Sequence, residues 1–130
     1  MPNLRELDLS ETRVDDGAGS ALSTLFSLEK LYLSHTSFTD WGLSNLSGLA
    51  NLKVLSVRGT GLTNAGMGHF RNLYNLERLS VRDTRITNYG LEPLLRLSNL
   101  KSLDVLGTSV DRYGALLVER ALPRCRVKFD

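Results

Sequence analysis

Residues 28–43 read LEKLYLSHTSFTDWGL, and this pattern returns every 24 residues along the chain. Each copy opens on a leucine, has apolar residues three and five positions later, and has a threonine eight positions later. The opening leucines are Leu4, Leu28, Leu52, Leu76 and Leu100. A fixed period held over five copies indicates a repeat architecture, in which each unit buries its apolar face against its neighbours.

Each unit contains the signals of a strand followed by a helix. Apolar residues at the first, fourth and sixth positions, with polar residues between them, predict a short strand buried on one face. Pairs such as Asp15-Asp16 and Thr39-Asp40 then supply residues that favour a helix start. Leu43, Leu46 and Leu49 follow at helical spacing and predict a helix of two or three turns.

A strand, a helix and a further strand favour parallel pairing through a right-handed crossover. We therefore predict an α/β fold, a right-handed solenoid with a concave parallel sheet of five to six short strands and short helices on the convex side. Residues 1–130 form one domain in this interpretation. It comprises repeats 4–27, 28–51, 52–75, 76–99 and 100–123 and a terminal half-repeat, 124–130.

The two ends of the repeat series differ. Val127 and Phe129 occupy strand positions of the half-repeat after Pro123. At the other end the first repeat has no polar capping unit before it, which repeat arrays need for solubility. We expect an exposed apolar edge there, or an array that continues, or a first repeat that stacks on another chain. The residues of this edge are Leu4, Leu7, Leu9 and Val14.

Composition excludes several classes of protein. Leucine occurs 27 times and isoleucine once, and 23% of the residues are charged. No apolar run approaches membrane length, and residues 3–9 alternate charge with leucine, so neither a transmembrane segment nor a signal peptide is predicted. The single cysteine, Cys125, cannot form an internal disulfide framework and favours a reducing, cytoplasmic location.

Charge is graded along the chain although the formal net charge is only +2. Counted from the sequence, residues 1–27 carry −3 and residues 52–75 carry +3. An acidic front and a basic rear would suit electrostatic steering of a partner or head-to-tail packing of copies.

Residues that support catalysis are sparse. His35, His69 and Cys125 fall in different parts of the predicted solenoid, so no catalytic centre, metal site or cofactor is expected. Residues 59–64, GTGLTN, approximate a dinucleotide-binding loop but have Asn64 in place of the last glycine, and we interpret them as turn glycines. The sequence predicts a protein that is not an enzyme and takes no small-molecule substrate.

The chain resembles a known family. The segments LRELDLSET, LEKLYLSHT, LKVLSVRGT, LERLSVRDT and LKSLDVLGT look like leucine-rich repeats with threonine at the usual asparagine or cysteine position. The segments FTDWGLSNL and ITNYGLEPL are similar to helix starts in repeats of the ribonuclease-inhibitor and F-box-receptor types. The resemblance implies the solenoid fold. Its similarity to F-box receptors in particular implies a protein that binds the substrates of a ubiquitin ligase.

The outward strand positions suggest a binding face. Tyrosine and arginine, the residue types enriched at interface hot spots, cluster there with an apolar neighbour. The candidate partner-binding residues are Tyr32, His35, Val54, Arg58, Arg78, Arg82 and Arg85. We expect a protein or peptide partner; the alternatives are a scaffold subunit docked through its first repeat and, below these, nucleic-acid binding by the basic repeats.

Two further rows recur with the repeat. The threonines Thr12, Thr36, Thr60, Thr84 and Thr108 are predicted to be structural, with hydroxyls that bridge the backbones of neighbouring loops. Trp41, Tyr89 and Tyr113 share a position beside the helix start, where aromatic rings are predicted to pack between adjacent repeats.

Overall fold

The computed structural model describes residues 3–130. Within that range six three-residue strands form one parallel sheet whose spatial order follows the chain. The strands are β1 (Glu6–Asp8), β2 (Lys30–Tyr32), β3 (Val54–Ser56), β4 (Arg78–Ser80), β5 (Ser102–Asp104) and β6 (Arg126–Lys128). Every pair of neighbours is in register at the repeat length, as in Leu7 opposite Leu31. The predicted sheet is confirmed.

The return paths carry short helices. Four of them are α-helices, α1 (Gly19–Leu22), α2 (Asp40–Leu43), α3 (Asn64–Met67) and α4 (Arg112–Ala121). The others are 3-10 turns, Asp16–Ala18, Ser44–Leu46, Gly68–Phe70 and Asn88–Leu94. The fourth repeat is 3-10 throughout its helical segment and includes the buried Pro93, whose nitrogen cannot donate a helical hydrogen bond.

One apolar column runs between the sheet and the helices. Leu31, Leu55 and Leu103 lie at the middle of their strands and are fully buried or nearly so. Each such leucine contributes about 1.5–3 kcal/mol relative to an exposed one. The corresponding positions of the first repeat, Leu4, Leu7, Leu9 and Val14, are only half-buried, because no preceding repeat among residues 3–130 covers them.

The repeated threonines close the loop that follows each strand. Thr36 Oγ1 donates to the carbonyl of Leu33 at 2.7 Å, and each of the other four hydroxyls also donates to the carbonyl three residues earlier. The prediction that they bridge neighbouring loops is therefore wrong. A three-residue separation places each hydroxyl beside the carbonyl of the residue that follows its own strand, and backbone bonds such as His35 N–H to Arg58 O, 2.8 Å, join adjacent loops instead.

The predicted helix caps do two separate tasks. The first residue of a pair can cap its own helix, as when the Thr39 and Asp111 side chains accept from N–H groups of the following turn, whereas the Thr63 side chain makes no such bond. The second residue bonds to the next repeat. Asp16 accepts from the N–H and the hydroxyl of Thr39, at 2.8 and 2.5 Å. Asn64 makes the equivalent pair of bonds to Thr87, accepting from its N–H and donating to its hydroxyl.

A third set of bonds joins repeats where the helices end. Each of three asparagine side chains donates to a backbone carbonyl of the preceding repeat at 2.9 Å. The pairs are Asn51 with Phe26, Asn75 with Ala50 and Asn99 with Tyr74. Side-chain hydrogen bonds between repeats, at both ends of the helices, thus hold adjacent repeats at a constant spacing. The strands of the sheet share that spacing.

Candidate functional site

The outer face of the sheet carries a shallow depression of about 210 Å³. Tyr32 on β2, Val54 on β3 and Arg78 on β4 line it, so the structure brings three of the candidate residues together. Alternation along each strand produces this arrangement: the central leucines point into the core and their neighbours point out. Tyr32 and Val54 are half-buried there, while Arg78 is exposed.

Small side chains form the floor of the depression. Ser56, Ser80 and Ser102 lie on three successive strands, and Asp104 and Lys128 line the side nearest β6. None of these five residues is among the candidates predicted from the sequence. The signal for them was available, because they occupy the same outward register positions as Tyr32 and Val54.

Arg58 and Arg82 occupy the next row, just after their strands, and do not line the depression. Arg58 Nε donates to Asp83 Oδ2 at 3.1 Å, and Arg82 Nη1 lies 3.9 Å from Asp104 Oδ2. The side chains of Arg58 and Arg82 are 40% and 38% exposed. Their guanidinium groups are therefore held by the carboxylates and are still accessible to solvent. Such exposed pairs contribute little to stability.

His35 and Arg85 lie in loops beyond the sheet and are exposed. His35 adopts a left-handed backbone conformation, with φ of 56°. Its ring lies over Gly59, where an added Cβ would sit 2.4 Å from His35 Nδ1. The structure therefore places these two candidates on the flank of the face, separate from the depression.

Nucleophilic and metal-binding groups do not converge. Cys125 is buried behind β6, and that burial, assisted by the negative charge of Glu119, raises the pKa of its thiol to about 11. No group of three His, Cys, Asp or Glu side chains within residues 3–130 has the arrangement of a metal site. The longest helix there, α4, has ten residues, and none could cross a bilayer as an apolar span.

The aromatic row beside the helix starts corrects a prediction. Trp41 is 80% exposed, Tyr89 92% and Tyr113 74%, so these rings do not pack between repeats. The residues before Trp41 and Tyr89 contact the next repeat instead, as Asp40 does with Thr63 and Asn88 with Asp111. The aromatic side chain that follows is directed away from that junction into solvent.

The comparisons agree with this geometry. Residues 2–62 match the leucine rich repeat family. The first half of the chain is thus similar in sequence to leucine-rich repeats. Among 127 matching solved chains is an LRR protein of Leptospira interrogans, which shares 21% identity with a TM-score of 0.71. That match covers 98% of this chain and 37% of the other, so this chain spans little more than a third of that protein's length.

No curated protein matches the sequence. The specific relation to the ribonuclease-inhibitor and F-box-receptor types stays a prediction.

Proposed function

We propose that this chain is a protein-interaction module that binds a protein or peptide on the concave face of its sheet. The observation that carries the proposal is the depression on that face. Tyr32, Val54 and Arg78 surround its serine floor and are not required to fill the core. A half-buried tyrosine and an exposed arginine beside a half-buried aliphatic side chain have the composition of an interface hot spot.

The proposed contact residues form a graded set. Tyr32, Val54 and Arg78 are the centre, Arg58 and Arg82 form the adjacent row, and His35 and Arg85 are peripheral contacts for a partner that extends over the loops. The carboxylates of Asp83 and Asp104 orient the two paired guanidinium groups.

A double substitution on each face tests the proposal. Tyr32→Ala with Arg78→Ala removes the proposed centre, and Tyr74→Ala with Arg96→Ala removes the same residue types from exposed positions outside the sheet. We expect the immobilised wild-type chain and the second variant to capture the same partner, and the first variant to lose it. Equal capture by both variants would exclude the concave face.

A second proposal, a subunit docked through its first repeat, is supported by the partial exposure of Leu4, Leu7, Leu9 and Val14. Their counterparts in the second repeat are fully buried. If copies stack there, the apparent mass in light scattering rises with concentration, and Leu7→Asp abolishes the rise while Leu116→Asp, on α4, does not. A constant monomer mass would exclude self-stacking.

Three finer statements stay predictions. Reception of ubiquitin-ligase substrates follows only from the F-box resemblance. Nucleic-acid binding by the basic repeats ranks below protein binding, because the net charge is small and Asp83 and Asp104 interrupt the cations. The cytoplasmic location follows only from the presence of a single cysteine.

A further inference from the structure

The row of charges at the rim of the sheet neutralises itself. The second residues of successive repeats alternate in sign, in the order Arg5, Glu29, Lys53, Glu77 and Lys101. Glu29 lies 3.8 Å from Arg5 and 3.6 Å from Lys53, and Glu77 lies 3.6 Å from Lys101. At this position neighbouring repeats pair their charges, and three cations against two acids leave a net charge of only +1.

The outer face of the sheet does the opposite. From β2 to the loop after β6 it carries six cations, Lys30, Arg58, Arg78, Arg82, Arg126 and Lys128, and three acids, Asp83, Asp104 and Asp130, a net charge of +3. Within residues 3–130, no carboxylate lies within 4.0 Å of the charged groups of Lys30, Arg78, Arg126 or Lys128. These four cations are available to an external anion.

We propose that the concave face binds an extended, acidic segment of a partner protein, with its carboxylates held by Arg78 and Lys128. This proposal rests on the proposed function and specifies the chemistry of its partner. Both cations line the depression together with Ser80 on β4 and Ser102 on β5, whose hydroxyls can donate to the same carboxylates. Asp104, which lies between Ser80 and Lys128 in the register, is paired with Arg82. Charge complementarity of this kind sets the choice of partner and the association rate.

The dimensions of the face match a short segment. Four interstrand spacings of about 4.8 Å separate β2 from β6, which is roughly 19 Å. An extended chain covers that distance in about six residues. Tyr32 and Val54 give this segment an apolar contact among the charges.

The acidic β1 limits how far a polyanion could extend. Glu6 and Asp8 point out from the same face, and Glu11 follows in the adjoining loop. A uniform phosphate backbone would meet repulsion there, whereas a protein segment can place an uncharged or basic residue over β1. This pattern favours a peptide over a nucleic acid.

The experiment uses three labelled probes, hexaglutamate, hexalysine and hexathymidylate, with fluorescence anisotropy at low and high salt. Arg78→Gln with Lys128→Gln removes two unpaired cations of the face. Lys53→Gln with Lys101→Gln is the matched control, since it removes the same net charge from the self-neutralised rim. Circular dichroism verifies that both variants fold.

We expect hexaglutamate to bind in preference to the other two probes and to dissociate at high salt. The concave variant weakens this binding about tenfold, while the rim variant changes it less than twofold. Equal weakening by both variants, absence of hexaglutamate binding, or tighter binding of hexathymidylate would overturn the inference. If the partner is still captured through Tyr32 and Arg78 in that case, the proposed function stands and only its acidic specificity fails.

Discussion

The side-chain amide of Asn88 donates to the Asp111 carboxylate at 2.8 Å, and Asn88 Oδ1 accepts the N–H of Asp111 at 3.2 Å. The two residues occupy neighbouring repeats, and Asp111 also caps α4 through the N–H groups of Tyr113 and Gly114. The Asn88 amide is the largest cause of a lowered pKa at Asp111, and the cap bonds add to it. The carboxylate therefore links the fourth repeat to the last helix.

Asn88→Asp should destabilise the protein at neutral pH because it places two carboxylates where an amide now meets one. In the wild type, the lowered pKa of Asp111 means that its stabilising contribution is present above the unfolded pKa and is lost as pH falls. In the variant the repulsion between the carboxylates raises a pKa, so acidification relieves the defect. We expect a melting temperature roughly 2–5 °C below wild type at pH 7 and a smaller difference near pH 3.

The chain supplies its own rescue for that variant. Asp40 pairs with Thr63, whose hydroxyl donates to the carboxylate. Asn88→Asp combined with Asp111→Thr reproduces this pairing and should recover part of the lost stability at pH 7. Ser98→Asp, an exposed substitution of equal charge, is the control. If the difference in melting temperature between Asn88→Asp and the wild type is the same at pH 7 and near pH 3, the proposed role of the Asn88–Asp111 bond is contradicted.

Gly66→Ala should cost about 1–3 kcal/mol in free energy of unfolding. A Cβ at this position would lie 2.1 Å from Asp40 Oδ1 and 2.8 Å from Leu62 Cδ1. Either the Asp40 side chain, which bonds to the next repeat, or the core around Leu62 must therefore shift. Gly68→Ala is the matched control, since its Cβ would meet no atom within 4 Å. The control should be neutral or stabilising by about 0.4–1 kcal/mol. Chemical denaturation of both variants measures the contrast; equal effects would refute it.

Glu11→Gly should stabilise the protein by about 1 kcal/mol, because Glu11 has a φ of 59°, in the left-handed region that glycine adopts without strain. Gly59 and Gly107 occupy the same repeat position with φ of 66° and 72°. Glu6→Gly, in the extended β1, is the control and should destabilise. Urea denaturation that shows a loss of stability in Glu11→Gly would contradict the strain argument.

Cys125 should react slowly with iodoacetamide at pH 8 in the folded protein. With a pKa raised to about 11, the folded thiol has roughly a hundredfold less thiolate than an unperturbed one, and it is also buried. Mass spectrometry with and without urea measures the difference. The raised pKa stabilises the fold below the unfolded pKa, and this contribution is lost as pH rises through 9 towards 11. Rapid labelling without urea would contradict this placement.

The sequence predicted the sheet and the centre of the proposed site for the same reason. A strand alternates inward and outward side chains, so the positions between the leucines of each repeat, including Tyr32, Val54 and Arg78, had to share a face. The floor serines and Lys128 were missed because tyrosine and arginine guided the choice of residues. Whether Arg58 is paired could not be predicted either, since its partner Asp83 is 25 residues away and sits in a left-handed turn.

The sequence by itself determined the repeat length, the parallel register and the leucine column, because a strict period of 24 residues allows one stacking arrangement. Only the tertiary structure decided which polar groups meet. The threonine hydroxyls close their own loops, Asp16 and Asn88 bond across repeats, and Trp41 is exposed. Side-chain hydrogen bonds depend on distances of a few tenths of an ångström between residues far apart in the chain, and no period encodes those distances.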